Sequence, residues 1–526
     1  MPKLIIDNRE VEVSDGDTVL DAARKLGIEI PTMCFLRGQK PLTSCMLCVV
    51  KVDASNSLVP ACGAIARDGM RVESNCEQVR QARRMALEML LSDHVGDCMG
   101  PCQVTCPAGM DIPLMIRQIA AGNLREAIAT VKKDIALPAT LGRICPKPCE
   151  RACRRAGFDE AVSICLLKRY VADMDLLSDD PYLPICKPKQ GKRVAIVGAG
   201  PAGLSAAYYL QQDGYDCIIF DDHDKPGGML RYGISQEDLG MDVLDAEISL
   251  IEKLGVKFQG QTRVGDSLSL EDLRRDFNAV FVAVGGLKQS DSAWMGLKIG
   301  AGGVTINGET YQTSLSGIFA GGDCVRKRRL TVRAVADGKE AAVSISQYLS
   351  GQPVTGPAKI FNTHIGKLKE GEIEKFLAFA SKAPRLTPNL EIRNSKGGFT
   401  DDQARQEATR CLHCDCRKAQ SCKLRQCAMG YEAHPGRYKS ERRFFEQYTE
   451  HPDIIYEPGK CISCGLCVQI AAQAGEKLGL SFVGRGFDVR VTVPFGKSIA
   501  EGLKHTAAQC AAACPTGALA FKDKNK

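Results

Sequence analysis

The sequence predicts a multidomain chain of mixed α/β and α+β class, with a Rossmann-like dinucleotide fold set among cysteine-rich modules. Three observations predict it. The chain has 526 residues, enough for about three or four domains. Its 25 cysteines bunch at short spacings with no export signal ahead of them, the pattern of metal ligation and not of a disulfide framework. A glycine-rich middle section opens on RVAIVGAGPAG, a strand running into a tight turn. The expected partition is 1–78, 79–188, 189–352, a Pro-containing linker over 353–400 with one helix around Gly371–Ser381, and 401–526.

Composition narrows the function classes. Hydrophobic residues are 44% and charged residues 25%, as in ordinary globular protein. The net charge of +7 is small and scattered, and aromatic residues are only 6%, which argues against nucleic acid. The N-terminus MPKLIIDNREVEV alternates like a strand and lacks the apolar segment of a signal peptide. No run of about 18 apolar residues suggests a membrane span. The expectation is a cytoplasmic chain that is not an integral membrane protein.

In the first block, LIID and VEV alternate, and TVLDAARKLG predicts a helix from Thr18 to Gly27. Cys34, Cys45, Cys48 and Cys62 follow as C-x10-C-x2-C-x13-C, and four soft thiolates from two loops suit two irons. Zinc is the plain alternative. This arrangement resembles the N-terminal ferredoxin domain of the respiratory complex I large electron-transfer subunit and of iron-only hydrogenases. The resemblance implies a β-grasp fold holding one [2Fe–2S] cluster.

The second block is helical, with cysteines in its turns. MALEMLLSDHVGDC continues the same resemblance, in which a His followed by Cys begins a His-ligated [4Fe–4S] site, here His94 and Cys98. CMGPCQVTCPAGMDIP, GRICPKPCERAC and AVSIC then resemble the N-terminal domain of the glutamate synthase small subunit and of dihydropyrimidine dehydrogenase. That resemblance implies two [4Fe–4S] clusters. One would take Cys106, Cys145 and Cys149 with Cys165 as fourth ligand, where some relatives use a polar side chain. The other would take His94, Cys98, Cys102 and Cys153. A surface histidine is the bland reading of His94. A neutral imidazole in place of a thiolate raises a cluster's potential.

The third block reads strand, glycine turn, helix, strand. Gly198 permits the turn, Gly200 lets backbone approach a pyrophosphate and Gly203 lets helix pack on strand. Pro201 and Ala202 open the helix whose N–H groups face phosphate. Asp221 ends the second strand, where an acid accepts a ribose hydroxyl. Further pieces resemble the flavin site of the glutamate synthase small subunit: KPGGMLRYGI with Gly227, Gly228, Leu230 and Arg231; Val264 in TRVG; FVAVGG with Ala283 and Gly285; and GIFAGGDC with Gly322 and Asp323. The resemblance implies FAD. It also implies a second, NAD(P)H-binding domain between the last two motifs, yet only about thirty residues separate Gly286 from Gly317. A mononucleotide-binding βαβ unit alone needs about that many, so this domain is expected to be missing.

The last block offers Cys411, Cys414, Cys416, Cys422 and Cys427. The first four are taken as one [4Fe–4S] ligand set; Cys427 in place of one of them, and zinc, are alternatives. KCISCGLC supplies Cys461, Cys464 and Cys467, and AACPTGAL supplies Cys514 before Pro515. These resemble the two-cluster ferredoxin module of complex I and hydrogenases, with one cluster lost: Ala471 stands where a cysteine is expected, and Cys510 is left idle. Cys76, Cys186, Cys217, Cys324 and Cys427 read as buried thiols.

The cofactors implied are one FAD, one [2Fe–2S] and four [4Fe–4S] clusters. The expected function is an iron–sulfur flavoprotein oxidoreductase. It would be an oxygen-sensitive electron-transfer subunit linking a molybdenum, tungsten or hydrogenase-type catalytic subunit to ferredoxin or to a separate NAD(P)H-oxidising subunit. Flavin-based bifurcation is compatible with this. A stand-alone NAD(P)H-dependent reductase like the glutamate synthase small subunit is the alternative, and a zinc-bearing scaffold a third reading. No side chain is assigned as a catalytic acid, base or nucleophile.

Overall fold

The computed structural model describes the chain apart from residues 53–56, 267, 288–292, 327–329, 391–396 and 523–526. It divides into two units, and the division is not linear. Unit one comprises Met1–Met99, Ile360–Phe379 and His413–Lys526; unit two comprises Gly100–Lys359 and Ala380–Leu412. The chain therefore leaves unit one after Met99 and re-enters it twice. This differs from the sequence partition at 79–188, 353–400 and 401–526. The stretch expected to be a linker contributes to both units, and its expected helix is limited to Ile373–Leu377.

Unit one begins with a five-stranded mixed sheet in the order Arg9–Glu12, Lys3–Ile6, Arg71–Glu73, Val49–Val52, Ser57–Pro60. Alternation puts Leu4, Ile6, Val11, Val50, Val52 and Val72 on one buried face. The helix Val19–Lys25 covers that face with Val19, Leu20, Ala22 and Ala23. Thr18 and Asp21 form its capping box. It stops where Gly27 takes φ +70° and the Ile28 N–H reaches Ala23 O, a Schellman closure. The helix Glu77–Ser92 follows, burying Val79, Leu87 and Leu91. The C-terminal part pairs Ile454–Tyr456 with Leu519–Phe521 and Ser481–Val483 with Arg490–Thr492, around the helices Leu466–Gln473 and Ala507–Ala513.

Unit two contains a five-stranded parallel sheet in the order Ile318–Ala320, Ala279–Val282, Arg193–Val197, Asp216–Phe220, Lys257–Gln259. Its inner strands are near-continuous apolar runs, as expected of a sheet buried on both faces, while the edge strand Lys257–Gln259 exposes its two polar residues. The helices Pro201–Gln212 and Thr331–Leu349 pack tightly together, because Gly338 leaves room for Ala202 O, 2.2 Å from where a Cβ would stand. Between Ala279–Val282 and Ile318–Ala320 the described residues form three short antiparallel strands and no helix. The helices Ile112–Ala120, Leu124–Lys132, Pro138–Ile144, Ile164–Leu177 and Asp401–Ala408 build the rest, around Ile116, Ile128, Leu141, Leu167 and Ala404. Among the described residues no helix is long and apolar enough to cross a membrane.

Candidate metal and dinucleotide sites

Four groups of metal-binding side chains converge. The first joins Cys34, Cys45, Cys48 and Cys62, all buried. The Cys45 N–H donates to Cys34 Sγ at 3.5 Å, and Cys48 Sγ lies 3.3 Å from Cys62 Sγ. The loop between them bends through Thr43 at φ +53° and Met46 at φ +52°. Hydrogen bonding from the Cys45 thiol brings Cys34 down to about 5, and bonding from Cys62 brings Cys48 down to about 7. One sulfur of each pair is thus poised as the thiolate a metal needs.

The second group lies within unit one, where His94 and Cys98 line a small cavity with Cys416 and Cys422, closed by Leu91, Phe361, Thr363 and Leu424; Cys102 and Cys153, expected beside them, belong to unit two. The Cys416 N–H donates to Cys98 O at 3.3 Å. Thr363 Oγ1 donates to Gly96 O at 2.8 Å and lies 3.3 Å from Cys98 Sγ. His94 Nδ1 is buried with no hydrogen-bond partner. Burial, with Lys460 and Lys439 nearby, drives its imidazole down to about 3, so the ring is neutral. A buried neutral imidazole with an unpartnered ring nitrogen, on a residue that lines a cavity with three cysteines, fits a metal cluster.

The third group is Cys461, Cys464, Cys467 and Cys514, around a cavity shared with Tyr456, Ile462 and Thr516. Ser463, at φ +51°, donates its N–H to Cys461 Sγ at 3.4 Å. Burial raises Cys461 to about 11 and Cys464 to about 12, the penalty of dry thiolates without a cation. Ala471 and Cys510 are buried in the neighbouring apolar core, and the Cys510 thiol points to Cys467 O at 3.7 Å.

The fourth group lies in unit two. Cys145 and Cys149 both hydrogen-bond Cys165, whose N–H donates to Glu150 Oε1 at 2.9 Å. The Lys168 side chain is buried among Cys165, Cys145, Cys149 and Cys106. Burial opposes its charge, yet these four sulfurs hold its ammonium above the ordinary lysine range. Cys102 is on the helix Pro101–Thr105, which packs on Pro148–Arg151, and Cys153 follows two residues after that second helix. Cys411 is buried in the same unit-two core, and Cys416 and Cys422 belong to unit one. Cys414 follows it in the chain at the start of the last unit-one segment. Of the remaining thiols, Cys217 and Cys324 are buried, Cys76 caps the helix Glu77–Ser92, and Cys186 and Cys427 are half-buried.

The glycine turn has the shape its sequence requires. Gly198 is at φ +107° with Ala283 O 2.4 Å from its absent Cβ, and Gly203 stands 1.9 Å from Gly198 O in the same sense. Gly228, at φ +52°, backs onto Gly200 at 2.8 Å. Gly200 and Gly285 face open space, and the helix starting at Pro201 and Ala202 aims its N–H groups there. Asp221 Oδ2 accepts the Ala199 N–H at 2.6 Å and Oδ1 accepts the His223 N–H at 2.9 Å, so the acid braces the loop. Leu230, Val264 and Ala283 are buried around it. The Gly227 N–H donates to Ala199 O, and the Arg231 guanidinium is tied to Pro226 O and Asp245. Gly322 donates to the buried Asp337 at 3.0 Å and presses on Ala202, which sets Asp323 in the turn before the helix Thr331–Leu349. This cradle, glycine-lined with a helix N-terminus beside it, fits a dinucleotide.

Residues 3–77 match the 2Fe-2S iron-sulfur cluster binding domain family. Residues 74–179 match dihydropyrimidine dehydrogenase domain II, 4Fe-4S cluster, and residues 196–251 the NAD(P)-binding Rossmann-like domain. The chain is 37% identical over 247 residues to the NADPH-Fe(3+) oxidoreductase subunit beta of Geobacter sulfurreducens, covering 43% of this chain and 36% of that one. It is 41% identical over 206 residues to the NADP(+)-dependent formate dehydrogenase subunit beta of Moorella thermoacetica, covering 35% and 29%. It is 36% identical over 188 residues to the glutamate synthase [NADPH] small chain of Bacillus subtilis, covering 35% and 38%. The chain is a homologue of these oxidoreductase subunits. It spans well under half the length of each. The expected mosaic of 2Fe-2S, 4Fe-4S and Rossmann-like domains is present.

Sequence reasoning missed Lys168, Lys460, Thr363 and Asp337. Each acts through contacts hundreds of positions away or through burial, and spacing carries neither signal.

Proposed function

We propose that this chain is the iron–sulfur flavoprotein electron-transfer subunit of a larger oxidoreductase, carrying FAD, one [2Fe–2S] and four [4Fe–4S] clusters. The observation that carries the reading is the convergence of buried and half-buried thiols, in sets of three or four, in a chain that also holds a dinucleotide cradle. Cys34, Cys45, Cys48 and Cys62 would hold the [2Fe–2S] cluster. Three [4Fe–4S] clusters would rest on His94, Cys98, Cys416 and Cys422; on Cys461, Cys464, Cys467 and Cys514; and on Cys106, Cys145, Cys149 and Cys165. Cys102, Cys153 and Cys411 remain for the fourth, and Cys414 stays a candidate from its spacing to Cys411.

FAD, when bound, supplies conversion between two-electron and one-electron transfer. The glycine turn at Gly198–Gly203 would hold its pyrophosphate, with Asp221 keeping the turn rigid. Leu230 and Ala283 exclude water from the cradle. The three short strands between Ala279–Val282 and Ile318–Ala320 leave no second nucleotide domain among the described residues of that stretch. Electrons would therefore reach this chain from a partner subunit or a ferredoxin and not from NAD(P)H.

Anaerobically purified chain tests this by its visible spectrum. The reading expects NADH and NADPH to leave the flavin and clusters oxidised, while a reduced low-potential ferredoxin bleaches them. Direct bleaching by NADH or NADPH would transfer the assignment to a self-contained reductase, the reading favoured by the NAD(P)-binding family match.

A further inference from the structure

Lys460 is the least expected feature of unit one. Its ammonium is buried, 3% exposed, and lies 2.6 Å from Glu457 Oε2, itself 4% exposed. The residue stands directly before Cys461, and its carbonyl accepts the Thr516 hydroxyl at 2.8 Å, so its backbone belongs to the Cys461–Cys464–Cys467–Cys514 site. Its side chain runs the other way. The stem fills the space that Gly96 leaves, where a Cβ would meet Lys460 Cε at 2.5 Å. It passes Gly517 as well: a Cβ there would stand 3.5 Å from Lys460 Cδ and 2.4 Å from Cys416 Sγ. Two glycines thus clear a passage for one long side chain from one thiolate site to the other. Gly96 lies between His94 and Cys98, so the passage opens within the second ligand set.

A buried ion pair costs desolvation that an apolar pair of equal volume would not. The Lys460–Glu457 pair therefore calls for a use. A fixed positive charge beside a cluster favours its reduced, more negative state, since net charge and hydrogen bonding set cluster potentials. A neutral imidazole in place of a fourth thiolate acts in the same direction. We propose that Lys460 is a positioning residue that raises the reduction potential of the site formed by His94, Cys98, Cys416 and Cys422, with Glu457 opposing it. The inference rests on the reading of that site as a [4Fe–4S] centre. It makes the centre the electron-accepting member of the pair it forms with the Cys461 site.

The test is a redox titration of the intact chain followed by electron paramagnetic resonance at low temperature. The signal of the centre is first identified as the one that changes in His94→Cys. Absence of any such signal, with iron content unchanged by His94→Cys, would defeat the site assignment itself and leave Lys460 without a role. With the signal identified, Lys460→Gln shifts its midpoint negative, Lys460→Arg restores it, and Glu457→Gln shifts it positive. The [2Fe–2S] signal, distinguished by its slower relaxation, keeps its midpoint in all three. If Lys460→Gln fails to assemble, Glu457→Gln and Lys460→Arg still decide. Unchanged midpoints in Lys460→Gln and Glu457→Gln, or equal shifts of both signals, would overturn the proposal.

Discussion

Each unit buries one lysine beside its thiols, and the two are balanced differently. In unit one Lys460 has a carboxylate partner, Glu457, at 2.6 Å. In unit two the groups that hold the charge of Lys168 are four sulfurs, Cys165, Cys145, Cys149 and Cys106. A buried cation needs a counter-charge. For Lys460 it is built into the fold; for Lys168 it is supplied by the thiolates that would carry iron. The comparison teaches that the buried charge of unit one has a carboxylate beside it, whereas that of unit two stands among sulfurs that would ligate metal. Unit two should be the unit whose folding is coupled to cluster assembly.

The sharpest way to break this contrast is Cys149→Ser. It should lower iron by about four atoms per chain and destabilise unit two by about 3 kcal/mol, because a buried charge loses part of its balance. Iron analysis and thermal melting check this, and the [2Fe–2S] signal of unit one should persist. Gly203→Ala comes next. A Cβ 1.9 Å from Gly198 O cannot fit without moving backbone, so unit two should lose about 1–3 kcal/mol and its bound flavin, with full iron in unit one. Flavin release on gel filtration measures it. Removal of iron by a chelator should then raise amide hydrogen exchange over Cys145–Tyr170 more than over Ile454–Cys467. Equal exchange in the two segments would erase the distinction.

The smallest effect expected is a pH dependence at the dinucleotide loop. The Asp221 carboxylate, bonded to His223 Nδ1 at 2.9 Å, raises the imidazole above its ordinary range of about 6.5. A raised folded-state value means stabilisation that is complete below about 6.5 and lost as pH rises through the folded value. Wild-type chain should show this loss as pH rises above about 6.5, and His223→Gln should remove it. Since His223 is half-exposed, the shift in melting temperature is small.

The sequence made the local parts legible. C-x2-C pairs, the glycine turn and the helix Val19–Lys25 declare themselves within a few residues, because thiolate bite, φ freedom and capping are short-range properties. The proposed ligand set of His94, Cys98, Cys416 and Cys422 was not legible. More than 300 positions separate its halves, and Cys102 and Cys411, close to those halves in the chain, belong to the other unit. Spacing along the chain carries no signal across so long an insertion. The stretch 353–400 misled for a related reason. Its prolines suggested a tether, yet Thr363 and Phe361 close a cavity and the buried Arg410, after the next helix, anchors to Ala383 O and Glu160 O.

The metal and flavin content of the intact chain, purified without oxygen, is the most direct test. The expected result is about 18 iron atoms with matching acid-labile sulfide, one FAD released on denaturation, and no zinc. Zinc in place of iron, or a colourless chain without flavin, would contradict the proposed function.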